Sequence, residues 1–389
     1  MTSAVQMRRG VLLALGMLAP VLLTWWSAPA AAGGASAPYQ WRLPQGFPKP
    51  PVPAGNPMTE AKVELGRYLF YDTRMSVNGK ASCATCHRQS LAFTDGRPTG
   101  IGATGEKHSR SAMSLVNVAY AGVLTWSNPQ MKTLEDQALV PMFGRHPVEL
   151  GLSKDGDFLT RLRAEPKYRE LFEQAFPGEM DPFTVTNVTH AIACFERSII
   201  SARSPYDRYH FGGDDHAVSE SAKRGEILFF SQPLSCFRCH GGFNFSDATV
   251  SERNPSRQIE FHNTGLYNLA GILSYPAPNT GIYEYTQKPS DVGKFKTPTL
   301  RNIALTAPYM HDGSVSSLTD VLDHYAAGGR TIHGGPDAGV GHDNPNKDAL
   351  IGGFSLSDRD RIDLIAFLKN LTDQEVIHDQ RFADPWTEK

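Results

Sequence analysis

A chain of 389 residues, 40% of them apolar, is long enough to bury two or three domain-sized cores and is too apolar for a disordered polymer. Its 38 lysines and arginines nearly balance 40 aspartates and glutamates, for a formal net charge of -2. That balance excludes a chain-wide field drawing it to nucleic acid or an anionic membrane, although a local docking patch of either sign stays open.

The first element in chain order is an apolar run from Gly10 to Trp26, preceded by Arg8 and Arg9 and followed by Ala-x-Ala choices ending at Ala30 or Ala32. This is the layout of a secretory signal peptide, predicted over residues 1–32, with a linker over 33–55. A retained membrane anchor is the alternative, but the run is short for a span and Pro20 interrupts it. No later stretch is long and apolar enough to span. The mature protein is therefore expected to be periplasmic, with no membrane attachment after signal cleavage.

Next comes ELGRYLF (Glu64 to Phe70), with Val63, Leu65, Tyr68 and Leu69 at roughly helical spacing, and then SCATCH (Ser82 to His87). Two cysteines two residues apart fit a redox dithiol, half of a zinc site or a haem attachment point. The flanks lack the strand-then-helix setting of a thioredoxin-like pair, which disfavours the first. A zinc site made from two such pairs leaves the following histidine unexplained. The arrangement returns as SCFRCH (Ser235 to His240), and with 13 histidines in the chain one follows a given cysteine by chance only about once in thirty. Two Cys-x-x-Cys-His motifs in an exported chain point to two covalently attached c-type haems: Cys83 and Cys86, and Cys236 and Cys239, form the thioethers. His87 and His240 are then the proximal iron ligands.

KRGEILF (Lys223 to Phe229) precedes the second motif as ELGRYLF precedes the first. Phe93-Thr94-Asp95 and Phe245-Ser246-Asp247 follow the two motifs, so the chain reads as an internal duplication. Cys194, the odd cysteine, lies among apolar residues and is expected to be a small buried thiol. A closing helix starts at Ser357 and carries Ile362, Ile365, Leu368 and Leu371 along one side. Proline and glycine clusters such as RLPQGFPKPPVPAGNP, SYPAPNTG and GHDNPNKD read as loops, and no alternating run argues a large sheet. The predicted architecture is mainly α: two tandem cytochrome c-like haem domains with long loops, over residues 56–210 and 211–375, and a tail at 376–389.

Function turns on the sixth position of each iron. Near the second motif, APYMHDGSVSSLTDVLDHYAAGG offers Met310, His311, His324 and Tyr325 as ligands. Leu318, Val321, Leu322 and Tyr325 repeat at helical spacing, which puts Tyr325 on the buried face of a short helix and His324 about 100° away. From the pattern alone Tyr325 reads first as a core aromatic with a hydrogen-bonded hydroxyl.

The segment FKTPTLRNIALTAPYMHDGSVSSLTDVLDHYAAGG resembles the second-haem region of bacterial di-haem cytochrome c peroxidases and MauG, and the likeness runs from about Asn56 to Thr372. The phrases RSAMSLVNVAY and FHNTGLYNL look closest to the MauG-like MbnH branch. The resemblance implies that Tyr325 is the second axial ligand, as a tyrosine is in MauG where the peroxidases use methionine. A phenolate is a hard anionic donor, expected to favour ferric and higher oxidation states.

The resemblance also implies that the haem of His87 reacts with hydrogen peroxide beneath Gln137, Pro141 and Glu149. Glu149 would be the acid-base group, Gln137 would orient the peroxide, and Trp126 would relay a hole between the haems. His108 or His146 is a rival closing ligand for the first iron. A calcium ion is implied at Thr306 and Pro308, with Ser111 where relatives place an asparagine, and serine is the weaker oxygen donor. The expected function is therefore a periplasmic di-haem enzyme that stores the oxidising equivalents of hydrogen peroxide and oxidises a partner protein, converting tryptophan to kynurenine. The alternatives are a cytochrome c peroxidase fed by a small redox protein, cytochrome or cupredoxin, and a two-haem electron carrier.

Overall fold

The computed structural model describes residues 38–271 and 273–387, so the signal peptide expected at 1–32 lies outside them. Eleven helices are seen among the described residues: α1 Glu60–Tyr71, α2 Cys83–Cys86, α3 Leu134–Phe143, α4 Phe158–Ala164, α5 Pro166–Ala175, α6 Val185–Ser198, α7 Pro205–His210, α8 Glu220–Phe229, α9 Tyr283–Thr286, α10 Leu318–Ala326 and α11 Asp358–Lys369. Sheet is confined there to two antiparallel pairs, β1 Phe261–His262 with β2 Phe295–Lys296 and β3 Thr331–Ile332 with β4 Gly339–Val340. The mainly helical, loop-rich expectation is met. No helix among the described residues is long and apolar enough to cross a membrane.

The long helices start where a hydroxyl can take an orphan amide. Thr59 accepts from Lys62, Thr184 from Asn187, Ser219 from Ala222, and Ser357 closes a capping box with Asp360. Two crossings then organise the fold: α1 packs on α6, and α8 on α11. Both depend on the glycine shared by ELGRYLF and KRGEILF. A methyl group on Gly66 would lie 1.9 Å from the Ala191 carbonyl oxygen, and one on Gly225 would lie 1.9 Å from that of Asp363. Phe195 and Phe367 occupy equivalent places beside them.

The duplication extends into the loops. Asn117 and Asn302 are both left-handed (φ 57° and 60°), and their amides donate to Ile199 O (2.8 Å) and Leu371 O (2.9 Å), just beyond the ends of α6 and α11. Gly66→Ala or Gly225→Ala is expected to force one crossing apart and cost about 1–3 kcal/mol, as overpacking does. Gly55→Ala, where a methyl meets nothing within 4 Å, is the control expected to stay within about 0.5 kcal/mol of the parent in urea unfolding.

The cores follow these crossings. Leu65, Leu69, Phe158, Phe172 and Ile192 pack in one, and Tyr206, Phe229, Phe245, Leu364, Phe367 and Leu371 in another. The apolar stripe expected on the closing helix needs correction. Ile362 is 60% exposed, and the buried face runs through Asp363, Leu364, Phe367 and Leu368. Contact with Gly225 centres on Asp363 and Phe367, which rotates the helix about one residue from the face that hydrophobicity alone selects. Cys194 is fully buried, as expected.

The segments outside the helix pairs act as straps. In the stretch read as a linker, Phe47 meets Phe211 and Phe243 edge-on, and Pro48 O accepts from Tyr120 Oη at 2.7 Å. In the stretch read as a tail, Val376, Ile377 and Phe382 join Phe70 and Phe195, and Trp386 Nε1 donates to Tyr68 O at 3.0 Å.

Candidate functional site

Each Cys-x-x-Cys-His motif is folded into a single turn. In α2 the Ser82 amide donates to Thr85 Oγ1 at 2.9 Å, and the turn puts Cys83 and Cys86 on one face at i, i+3, as two thioethers to one porphyrin edge require. The second motif is a 3-10 turn, Cys236–Arg238, entered through left-handed Ser235 (φ 55°). His87 Nδ1 donates to Phe93 O at 2.9 Å and His240 Nδ1 to Phe245 O at 3.1 Å. That bond selects the tautomer whose Nε2 lone pair is free for a metal. Desolvation by the surrounding protein lowers both imidazole pKa values, keeping the neutral, ligating form. None of the four motif cysteines is taken up in a disulfide. These residues fit a covalently held haem at each motif, with His87 and His240 as the axial nitrogens.

Gln137 and Pro141 lie one turn apart on α3. The Pro141 carbonyl accepts from Leu150 N at 2.9 Å, which ties the neighbouring Glu149 to the same helix. The Glu149 charge bears on Cys83, Cys86 and His87, so Glu149 shares a site with the first motif. The Glu149 side chain is 33% exposed, which leaves it a route to solvent protons. His108 Nε2 lies 3.7 Å from Glu149 Oε1, whereas His146 is exposed.

Around the second motif the four candidate ligands separate. His311 stacks on Phe295 at 3.8 Å, and Met310 lines a cavity described below. His324 is only 5% exposed, although the helical pattern turned it from the buried face. Burial, and after it the Arg330 charge, lower its pKa to about 4, against the opposing influence of the Thr264 backbone. Tyr325, expected on the buried face, is half-buried on α10; desolvation and then the nearby Cys239 and Cys236 raise its phenol above the usual range. No hydrogen bond is among the influences on its hydroxyl.

Between the two motifs lies a cavity of about 120 Å³ lined by Ser111, Trp126, Lys296, Thr306, Pro308 and Met310, with Asp95 at its edge. Five residues singled out in the sequence, Ser111, Trp126, Thr306, Pro308 and Met310, thus meet in one place. Trp126 is clamped there: its Nε1 donates to Ser111 O at 3.0 Å and its carbonyl accepts from Lys296 N at 2.9 Å. For calcium, the hydroxyl and the two carbonyls are hard oxygen donors of the right class. Asp95 adds a buried carboxylate whose Oδ2 has no partner. Ser111 Oγ, however, is turned to Met310 O at 3.2 Å, and the Lys296 ammonium lines the same cavity.

Three groups carry chemistry that no motif announced. Lys296 is 6% exposed, with no carboxylate in contact among the described residues, and burial pushes it down to about 8, where an anionic group in the cavity would restore it. Glu196, behind Cys83, is pushed up to about 8 by burial and has an unpartnered Oε2. His262 bridges Asp247 (2.8 Å) and Asp348 (2.6 Å). Burial opposes its charge, but hydrogen bonds to Asp247, Cys239 and Asp348 push it up to about 11. Cys239, Asp247 and His262 converge as a metal-binding triad would, but a thioether at Cys239 removes the thiolate from that set.

Comparison with known proteins agrees with this geometry. Residues 60–216 match the family model described as di-haem cytochrome c peroxidase. The chain is 34% identical to the methylamine utilization protein MauG of Methylorubrum extorquens, over 90% of this chain and 94% of that one. It is 31% identical to the cytochrome c551 peroxidase of Pseudomonas aeruginosa, over 69% of this chain and 72% of that one. Among solved structures, a MauG-like protein associated with microbial copper homeostasis superposes with a TM-score of 0.87 at 46% identity, covering 90% of this chain and all of the other.

Proposed function

The chain belongs to the di-haem cytochrome c peroxidase family, which includes MauG, and from that premise we propose that it is an exported, periplasmic MauG-like enzyme. It holds two c-type haems, one in each half of the duplicated chain. Hydrogen peroxide is its oxidant and a partner protein its substrate, with conversion of tryptophan to kynurenine as the expected modification. The observation that carries this reading is Tyr325: a half-buried phenol on α10, near enough to Cys239 and Cys236 for their charge to bear on it.

The roles divide among the protein groups. Bound haem at His87 supplies the two-electron chemistry that reduces peroxide to water. Gln137 orients the peroxide, and Glu149 takes a proton from the near oxygen and returns it to the far one, making water a leaving group. Trp126, held by hydrogen bonds to Ser111 and Lys296, relays a hole toward the second site. Tyr325 would hold the second haem through its phenolic oxygen. The Ser111, Thr306 and Pro308 oxygens would hold a calcium ion beside the relay.

Tyr325→Phe is expected to change the optical and magnetic-resonance signature of one haem and leave the other intact; two unchanged haems would remove Tyr325 from the iron. Peroxide added to the fully ferric holoprotein separates the rival readings. A long-lived oxidised spectrum, together with an oxygen-addition or kynurenine-type mass shift on an exported partner, supports the proposal. A requirement for prior reduction indicates a cytochrome c peroxidase, and inertness an electron carrier.

A further inference from the structure

We propose that Tyr267, hydrogen-bonded to Asp312, is a second terminus for oxidising equivalents, reached from Trp126 by way of His311 and Tyr275. The idea rests on the reading that Trp126 carries a hole after peroxide reacts, and adds a branch to it. The rings of Trp126 and His311 are 6.5 Å apart, those of His311 and Tyr275 are 6.0 Å apart, and those of Tyr275 and Tyr267 are 5.3 Å apart. All three separations fall in the range of direct aromatic contact, about 4.5–7 Å. His311 is also stacked on Phe295 at 3.8 Å, which fixes its ring in the path.

The two tyrosines differ in what they can do with a proton. Tyr275 is 5% exposed and has no hydrogen bond among the influences on its hydroxyl. Oxidised there, the phenol would stay a buried cation, which is costly without a base. Tyr267 Oη donates to Asp312 Oδ2 at 2.6 Å, and Ser314 N holds the other carboxylate oxygen at 3.0 Å. One electron passes from Tyr267 to the oxidised indole of Trp126 while the phenolic O–H bond breaks. The proton moves to the Asp312 carboxylate. The products are a neutral indole, a neutral tyrosyl radical and a carboxylic acid, and hydrogen peroxide is the ultimate oxidant. The branch ends just beneath the surface: Ser314 is exposed, and Arg330, bonded to it at 2.8 Å, lies over the Tyr267 ring. A small one-electron donor in solution could discharge the radical from that side.

The test is freeze-quench magnetic resonance with parallel optical spectra on ferric holoprotein mixed with stoichiometric hydrogen peroxide. The wild type is expected to give a neutral tyrosyl radical after the haem spectra change. Tyr267→Phe should keep the haem change, lose the radical and prolong the oxidised state, and Asp312→Asn should also lose the radical. Persistence of the radical in Tyr267→Phe, or a wild-type haem change with no tyrosine radical, overturns the branch alone. No haem change in the wild type strikes the peroxide reading and the branch with it.

Discussion

Replacing Glu149 by glutamine is expected to lower kcat/KM for hydrogen peroxide by about 10²–10⁴-fold, the usual contribution of a positioned acid-base group. The substitution keeps the shape and removes only the titrating oxygen, so both haem spectra should survive. Breaking the O–O bond requires a proton on the departing oxygen. Without a carboxylate the proton must come from bulk water, and leaving-group expulsion becomes the slow step. Pro141, Leu150 and the facing His108 hold Glu149 at the first motif, while its partial exposure allows reprotonation between turnovers. Stopped-flow measurement of peroxide consumption is the check. An unchanged rate in Glu149→Gln would shift the proton work to His108, the other titrating side chain at that spot.

Arg301→Ala is expected to cost about 3–5 kcal/mol in urea unfolding of the holoprotein, the penalty for stranding one member of a buried ion pair. The Arg301 side chain is completely buried and pairs with both Asp207 oxygens, at 2.8 and 2.9 Å, and through Nε with Phe243 O at 2.9 Å. Its guanidinium also lies over Phe47 and Phe245. It therefore fastens α7 to the loop after the second motif and to the N-terminal strap. Truncation leaves the Asp207 charge with only Ser204 as a side-chain partner. Replacing both partners by apolar residues of similar volume should recover much of the loss, because no buried charge then remains. Equal losses in the single and double variants would mean that packing, not charge, sets the penalty.

Much of this protein could be read from local chemistry. Cys-x-x-Cys-His is legible because thioether bonds and an adjacent ligand impose spacing on consecutive residues, and the structure makes each motif a single turn with its histidine oriented by a phenylalanine carbonyl. The duplicated Gly66 and Gly225 were visible as a repeated pattern. Their purpose, a crossing so close that a carbonyl occupies the place of a side chain, was not. The Glu149 and Tyr325 assignments came from family likeness. The structure adds a reason for each: Glu149 bears on His87, and Tyr325 on Cys236 and Cys239.

What only the tertiary structure decided involves residues that are remote in sequence. Ile362 looked like core and proved exposed, because the partner helix presents a glycine to the neighbouring face. Lys296 sits in an ordinary strand, and nothing in its neighbours announces a buried ammonium at a residue that lines the same cavity as Ser111 and Trp126. The Trp126, His311, Tyr275 and Tyr267 path is likewise invisible in the linear order. Covalent and hydrogen-bonded motifs are set by neighbours along the chain. Desolvation and through-space contact depend on which distant segments the packed helices and loops bring together.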